Sequence, residues 1–191
     1  MKKFTTFLLL LANLFTCYAQ ETISDGCNCP EPTPEQFSNV CLAIYQKAVA
    51  HNSENGLSFS YQENLWEMSC AEPGKDTPEE AKQKIQCMWN KYREKFRCYD
   101  YPTSIATDKN ITKFSLDTGF TVFLNEAVRK LNLDMNFIDP EDQKTILDFI
   151  EERETYIRRS EPVDIPKADE YHRLYQLLNK NGAKHSWELN N

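Results

Sequence analysis

Three glutamates lie close together at Glu151, Glu152 and Glu154, and they are the first residues whose type and spacing could support catalysis. Neighbouring carboxylates can serve as the general acid and the general base of a hydrolase. These three fall within a stretch of helical periodicity, where a run of acidic residues most often forms a solvated face. We therefore predict a surface helix here, and a small secreted hydrolase that uses these carboxylates is the alternative.

The three histidines, His51, His172 and His185, show no repeated spacing with Asp, Ser or Cys. A catalytic triad or a metal cage requires such partners around the imidazole rings. The sequence therefore predicts no catalytic residue, no metal and no cofactor, and we expect that the chain is not an enzyme.

Seven cysteines occur in the chain, and six of them lie within residues 27–98. An even number of cysteines in an exported chain favours disulfides, and six allow fifteen connectivities. Zinc and free thiols are the alternatives, but the Cys27–Cys29 gap is too short for a usual zinc knuckle. If residues 78–98 form one straight helix, Cys87 and Cys98 lie ~16 Å apart, which is too far for a disulfide. The disulfide candidates are Cys27, Cys29, Cys41, Cys70, Cys87 and Cys98.

An acidic turn with Asp139, Glu141 and Asp142 lies within residues 134–143, which lack helical periodicity and predict a finger-like loop. Such a turn could contact a basic partner or a cation. Alternatively, its aspartates accept hydrogen bonds from the local backbone. A calcium site is disfavoured because the oxygen-ligand spacing of a calcium loop is absent. The candidate partner-binding residues are Asn136, Phe137, Asp139, Glu141 and Asp142.

Helical periodicity and helix-start signals describe most of the rest of the chain. Thr33 and Thr77 are each followed by Pro at the first helical position, and Gln36 and Glu80 can each complete a capping box. No four residues alternate convincingly as a strand, so we predict an all-α fold. The predicted helices are 34–50, a short helix near 65–70, 78–98, 111–117, 120–131, 145–158 and 169–181.

Two segments share one plan of short helix, turn, second helix and polar loop, namely residues 111–136 and 145–183. The first segment ends with Leu133-Asp134-Met135-Asn136. The second begins with Thr145-Ile146-Leu147-Asp148 and ends with Leu177-Leu178-Asn179-Lys180-Asn181-Gly182-Ala183. Residues 65–96 form a third, more divergent copy.

These motifs resemble those of the ankyrin repeat, over roughly residues 57–187. The sequence departs from the family at Ile146 and Asp148, where the family has Pro and His, and at Gln143, where it has a finger glycine. The last unit also carries an insertion around 155–168. A helical bundle without repeats is the alternative.

The resemblance implies a short stack of helix-turn-helix repeats that binds a protein through its finger tips and the adjoining short-helix face. The predicted organisation is a signal peptide at 1–19, an N-terminal cysteine-containing segment with one helix at 20–56, the repeats at 57–187 and a tail at 188–191. We expect the disulfides to reinforce the N-terminal helical unit, because a terminal repeat has the least to pack against.

Residues 1–19 predict export, because Lys2 and Lys3 precede an apolar stretch and Ala19 provides a small residue at a cleavage site. Removing them leaves 20 basic against 29 acidic residues, a net charge of −9. The remaining chain has no apolar run long enough for membrane insertion. Its acidity argues against nucleic-acid binding. We expect a bacterial protein in the periplasm or outside the cell.

The predicted function is therefore stoichiometric binding of another protein, and the acidity favours a basic partner. An immunity or inhibitor protein is one concrete form of that role. The alternatives are the secreted hydrolase described above and a structural envelope protein.

Overall fold

A computed structural model describes residues 28–50, 61–98 and 109–190 of the 191-residue chain. The described residues contain eight α-helices and two strands of two residues each, so the all-α prediction is confirmed. None of these helices is both long enough and apolar enough to cross a bilayer. The helices are α1 (Pro34–Ala50), α2 (Tyr61–Met68), α3 (Pro78–Tyr92), α4 (Ile111–Asp117), α5 (Val122–Arg129), α6 (Ile146–Arg159), α7 (Ile165–Lys180) and α8 (Ser186–Leu189).

The first three helices form an N-terminal unit, in which α2 packs against both α1 and α3. The predicted capping box of α3 is confirmed. The Glu80 backbone N–H donates to the Thr77 hydroxyl over 3.3 Å, and the Thr77 N–H donates to the Glu80 carboxylate over 2.8 Å. The side chains of α3 that face the other helices, Ile85, Met88 and Trp89, are buried.

The prediction that α3 continues to residue 98 is wrong. The α-helix ends at Tyr92, and a 3₁₀ turn at Arg93–Lys95 follows it. The next residues form strand β1 (Arg97–Cys98), which pairs antiparallel with β2 (Lys109–Asn110). These strands are shorter than the four residues that an alternation pattern needs to be recognised. Phe96, completely buried between turn and strand, continues the apolar stripe and made the helix look longer in the sequence.

Disulfides join the N-terminal elements in the structure. Cys29 is bonded to Cys70 and Cys41 to Cys98, with Cα–Cα distances of 5.6 and 5.5 Å. Cys87 also forms a disulfide, and Cys27 lies outside the described residues. Cys98 is thus paired with Cys41 of α1 and not with Cys87, although the straight helix on which the exclusion of that pairing depended ends at Tyr92.

Four of the remaining five helices form two pairs, α4 with α5 and α6 with α7. Helix α4 also contacts α6, and α5 contacts α7, so the second pair stacks on the first. Helix α7 begins four residues earlier than predicted. Asp164 caps it by accepting the Lys167 backbone N–H over 3.1 Å, and Pro166 occupies the first turn, where no hydrogen-bond donor is needed.

The loop between α5 and α6 is held by a contact with α3 and by the cap that starts α6. The Trp89 indole N–H donates to the backbone carbonyl of Asp134 over 2.7 Å, which fixes the loop to α3. Gln143 adopts φ 59° at the position where the ankyrin resemblance expects glycine. The Thr145 hydroxyl then accepts the Asp148 N–H and starts α6. The loop therefore has a defined path across the stacked helices.

Candidate functional site

The predicted residues Asn136 and Phe137 make internal contacts. The Asn136 amide donates to the Gly182 carbonyl over 2.9 Å and accepts the Lys184 backbone N–H over 2.8 Å. The Phe137 ring is 6% exposed and lies edge-on to Trp89, with the centroids 6.3 Å apart. Both residues hold the loop against neighbouring parts of the fold, and Asn136 remains partly exposed.

Asp139 lies in a buried network of charges, not at an exposed loop tip. Its side chain is only 2% exposed and receives hydrogen bonds from Arg97 at 2.6 Å, Asn110 at 2.7 Å and Lys113 at 3.0 Å. Burial acts to raise the pKa of this carboxyl, but the hydrogen bonds from Arg97 and Lys113 outweigh it and lower the pKa. Asp139 also accepts the Glu141 backbone N–H over 3.2 Å. These contacts favour the turn-chemistry interpretation for Asp139.

Glu141 and Asp142 retain solvent exposure. The Glu141 side chain is 62% exposed and lies 4.0 Å from a guanidinium nitrogen of Arg97. The Asp142 side chain is 36% exposed, and one carboxylate oxygen lies 2.5 Å from the Lys113 ammonium and accepts the Lys144 backbone N–H over 3.1 Å. Both carboxylates are more exposed than that of Asp139.

The acidic turn is joined to the exposed face of α6 by an ion pair of 2.5 Å between Lys144 and Glu152. Beyond this pair, the surface of α6 forms a cavity of about 290 Å³. We call it the α6 groove, and its lining residues are Phe149, Glu152, Arg153 and Tyr156. Tyr156 is the most exposed of them, at 68%.

The floor of the α6 groove is an aromatic ring surrounded by cations. The Phe149 centroid lies 5.0 Å from the Arg153 guanidinium, 5.6 Å from the Lys113 ammonium and 5.8 Å from the Lys109 ammonium. Asp117 pairs with both Lys109 and Arg153. Burial lowers the pKa of Lys109, and the charges of Arg153 and Lys113 add to this effect. The groove thus combines an aromatic floor with fixed charges around it.

The three glutamates first considered for hydrolysis are on α6, but two of them are held by different cations. Glu152 pairs with Lys144. Glu154 pairs with Arg158 at 2.9 Å and contacts His172 at 3.3 Å. Glu151 is exposed. This pairing favours a solvated and ion-paired helix face.

A chain of hydrogen bonds through His185 was missed by sequence reasoning. Its Nδ1 lies 2.7 Å from an Asp148 oxygen, and its Nε2 lies 2.9 Å from the Tyr175 hydroxyl. Asp148 also accepts the backbone N–H groups of Thr145 and Ser186. Burial acts to raise the pKa of Asp148, but these hydrogen bonds lower it to about 2. Because its oxygens are occupied in this way, the carboxylate anchors the start of α8 against α6.

The sequence contained one signal for this cluster, since Thr145 and Asp148 have capping-box spacing and His185 follows shortly after the helix-ending Gly182. Within the described ranges, no group of three or more His, Cys, Asp or Glu residues could hold a metal ion. His51 lies outside these ranges.

Comparisons with known proteins found no matching family model, no matching curated protein and no matching solved structure.

Proposed function

We propose that this chain is an exported, ankyrin-like module that binds another protein stoichiometrically through the α6 groove and the acidic turn. The observation that carries the proposal is the 68% exposure of Tyr156 beside Arg153 at the edge of a cavity. Tyr and Arg are enriched among the residues that dominate interface energies. Because Phe149 forms the floor between them, an incoming side chain could be enclosed on an aromatic surface.

The arrangement of the second half supports an ankyrin-like mode of binding. The loop that ends at Lys144 and the first helix of the following pair lie side by side, and the Lys144–Glu152 ion pair joins them. Gln143 takes the left-handed conformation expected of a glycine in the family. The resemblance places the binding face on a loop tip and the adjoining helix. In this chain we assign that face to the exposed residues Glu141 and Asp142 together with the α6 groove.

The charge of the chain supports a basic partner. Its net charge is −7 as written and −9 without residues 1–19. Glu141 and Asp142 add exposed negative charge beside the groove. Such a field accelerates encounter with a cationic protein. An immunity or inhibitor role against a basic effector is the specific form of this proposal.

The experiment uses the secreted chain as bait for proteins of the host's periplasm and medium at low salt. Wild type, Tyr156→Ala and Val163→Ala are compared, because Val163 is also exposed, at 41%, and does not line the groove. We expect wild type and Val163→Ala to retain one partner in a fixed ratio, and Tyr156→Ala to retain at least about tenfold less.

Thermal unfolding provides the control for folding, because truncation of an exposed side chain changes stability by only about 0.5 kcal/mol. Equal retention by Tyr156→Ala and wild type would contradict the assigned surface. Retention of no protein by wild type at low salt would contradict the binding function.

A further inference from the structure

A second cavity, of about 300 Å³, lies between α5 and α7 and shares no residue with the α6 groove. We call it the α5–α7 groove. Its apolar part is formed by Val122, which is 50% exposed, together with Leu174 and Leu177 at the edge of the core. An apolar strip that is open to solvent on a helix pair is able to receive an apolar side chain of another molecule.

Two arginines on this groove, Arg129 and Arg173, are exposed and form no ion pair with any of the described residues. Of the five other arginines in the described ranges, four form ion pairs and Arg159 forms none. The four are Arg93, Arg97, Arg153 and Arg158. The one carboxylate that lines the groove, Glu170, accepts a hydrogen bond from the Thr121 hydroxyl over 2.8 Å. The groove therefore carries two guanidinium groups whose donors are available.

The geometry points to an acidic occupant, and we propose that the α5–α7 groove binds a segment of a partner protein in which an Asp or Glu side chain adjoins an apolar side chain. Arginine offers a planar set of donors that matches a carboxylate in two hydrogen bonds. Arg129 of α5 and Arg173 of α7 provide these donors, and Val122 provides the adjacent apolar contact. The proposal does not rest on the α6 groove, so the two can fail separately.

Charge complementarity also favours an acidic segment over two other possible occupants, a basic segment and an anionic membrane. A basic segment would be repelled by Arg129 and Arg173. An anionic membrane would repel a chain that carries 29 acidic against 22 basic residues. A short acidic segment avoids both difficulties, because it places one or two carboxylates at the arginines without approaching the rest of the acidic surface closely.

The test follows backbone amide NMR signals of the ¹⁵N-labelled chain during titration with two hexapeptides blocked at both ends. One alternates leucine with glutamate, and the other alternates leucine with lysine. We expect the glutamate peptide to shift signals of α5 and α7, with an affinity that falls as salt is added. The lysine peptide should leave these signals unchanged.

The double variant Arg129→Gln/Arg173→Gln should weaken binding of the glutamate peptide at least about tenfold. Arg159→Gln is the matched control. Arg159 is also exposed and has no ion pair within the described ranges, but it lies at the end of α6 and does not line the groove. This control should bind within about twofold of wild type, and all variants should keep the wild-type unfolding midpoint because the side chains are exposed.

Several results would overturn the proposal. These are unchanged binding by the double variant, stronger binding of the lysine peptide, shifts confined to other helices, or no binding of the glutamate peptide at millimolar concentration. Binding only to a version with a free carboxyl terminus would assign the groove to a chain end and also overturn it. Concentration-dependent shifts of α5 and α7 without peptide would instead assign the groove to a second copy of the chain.

Discussion

The ammonium group of Lys113 lies 3.0 Å from a carboxylate oxygen of Asp139, and the two side chains are only 1% and 2% exposed. Lys113 belongs to α4, whereas Asp139 belongs to the loop before α6. Asp139 also binds Arg97 of β1 and Asn110 of β2. One carboxylate thus joins the strand pair, α4 and the loop, so the path of the acidic turn depends on charges far away in the sequence.

Replacing Lys113 with Met should lower the free energy of unfolding by about 3 kcal/mol, because the buried Asp139 carboxylate keeps Arg97 but loses the second cation that offsets its burial. Lys75→Met is the matched control. Lys75 is 77% exposed and pairs with Glu72 on the surface, where solvent screens the charges, so its loss should leave the stability nearly unchanged. Urea unfolding of both variants measures the difference. Equal effects would show that the Lys113–Asp139 pair does not stabilise the fold.

Local sequence signals predicted the helices well but failed where tertiary packing decides. The start of α3 at Thr77 was visible because capping needs only residues three positions apart, whereas the helix from 145 was predicted from its periodicity. The end of α3 was misplaced because Phe96 and Cys98 continue an apolar pattern after the chain has left the helix. Their burial against other elements does not depend on helical periodicity.

The candidate site shows the same contrast between features that are local in the sequence and contacts that depend on tertiary packing. An acidic turn was predicted correctly as a loop feature, but the sequence could not show that Lys113 and Arg97 lie against Asp139. These residues are separated from it by 26 and 42 positions. His185 was not recognised either, because it shows no regular spacing with Asp, Ser or Cys and its partner Asp148 is 37 positions away. Spacing rules do not detect contacts of this kind.

The disulfides give a second prediction. Peptide mapping of the purified chain under alkylating conditions without reductant should recover Cys29 linked to Cys70 and Cys41 linked to Cys98. The double variant Cys41→Ser/Cys98→Ser should lose about 3 kcal/mol of stability, because a bond across 57 residues restricts the unfolded chain. Recovery of Cys41 linked to Cys29 or Cys70 would contradict the arrangement of α1 against β1.

Asp148 gives a prediction on pH dependence. Its pKa is about 2 in the folded chain, whereas the ordinary value for an aspartate, which applies to the unfolded chain, is 3.8. The ionised carboxylate therefore stabilises the fold above about pH 4, and this stabilisation is lost as the pH falls toward 2. The shift corresponds to about 2 kcal/mol. Wild type should therefore exceed Asp148→Asn in stability at pH 4, and this advantage should shrink by about 2 kcal/mol near pH 2.

Urea unfolding at a series of pH values measures this difference. Asp169→Asn is the control, since Asp169 is 50% exposed and pairs with Arg158 on the surface. Its difference from wild type should stay within about 0.5 kcal/mol at each pH. An advantage over Asp148→Asn that stays constant between pH 4 and pH 2 would show that the Asp148 carboxylate does not anchor α8 through its charge.

The backbone of Gln143 gives the last prediction. Its φ of 59° is a conformation that a side chain bearing Cβ adopts at a cost of about 1 kcal/mol, whereas glycine adopts it freely. The Gln143 amide also donates to the Pro140 carbonyl over 2.9 Å, but this bond is exposed and contributes little. Gln143→Gly should therefore raise the free energy of unfolding by about 0.5 kcal/mol, after the larger entropy of glycine in the unfolded chain is included. Gln143→Ala, which loses the same hydrogen bond but keeps Cβ, should be no more stable than wild type. If Gln143→Ala proves the more stable of the two variants, the left-handed turn before α6 does not constrain this position.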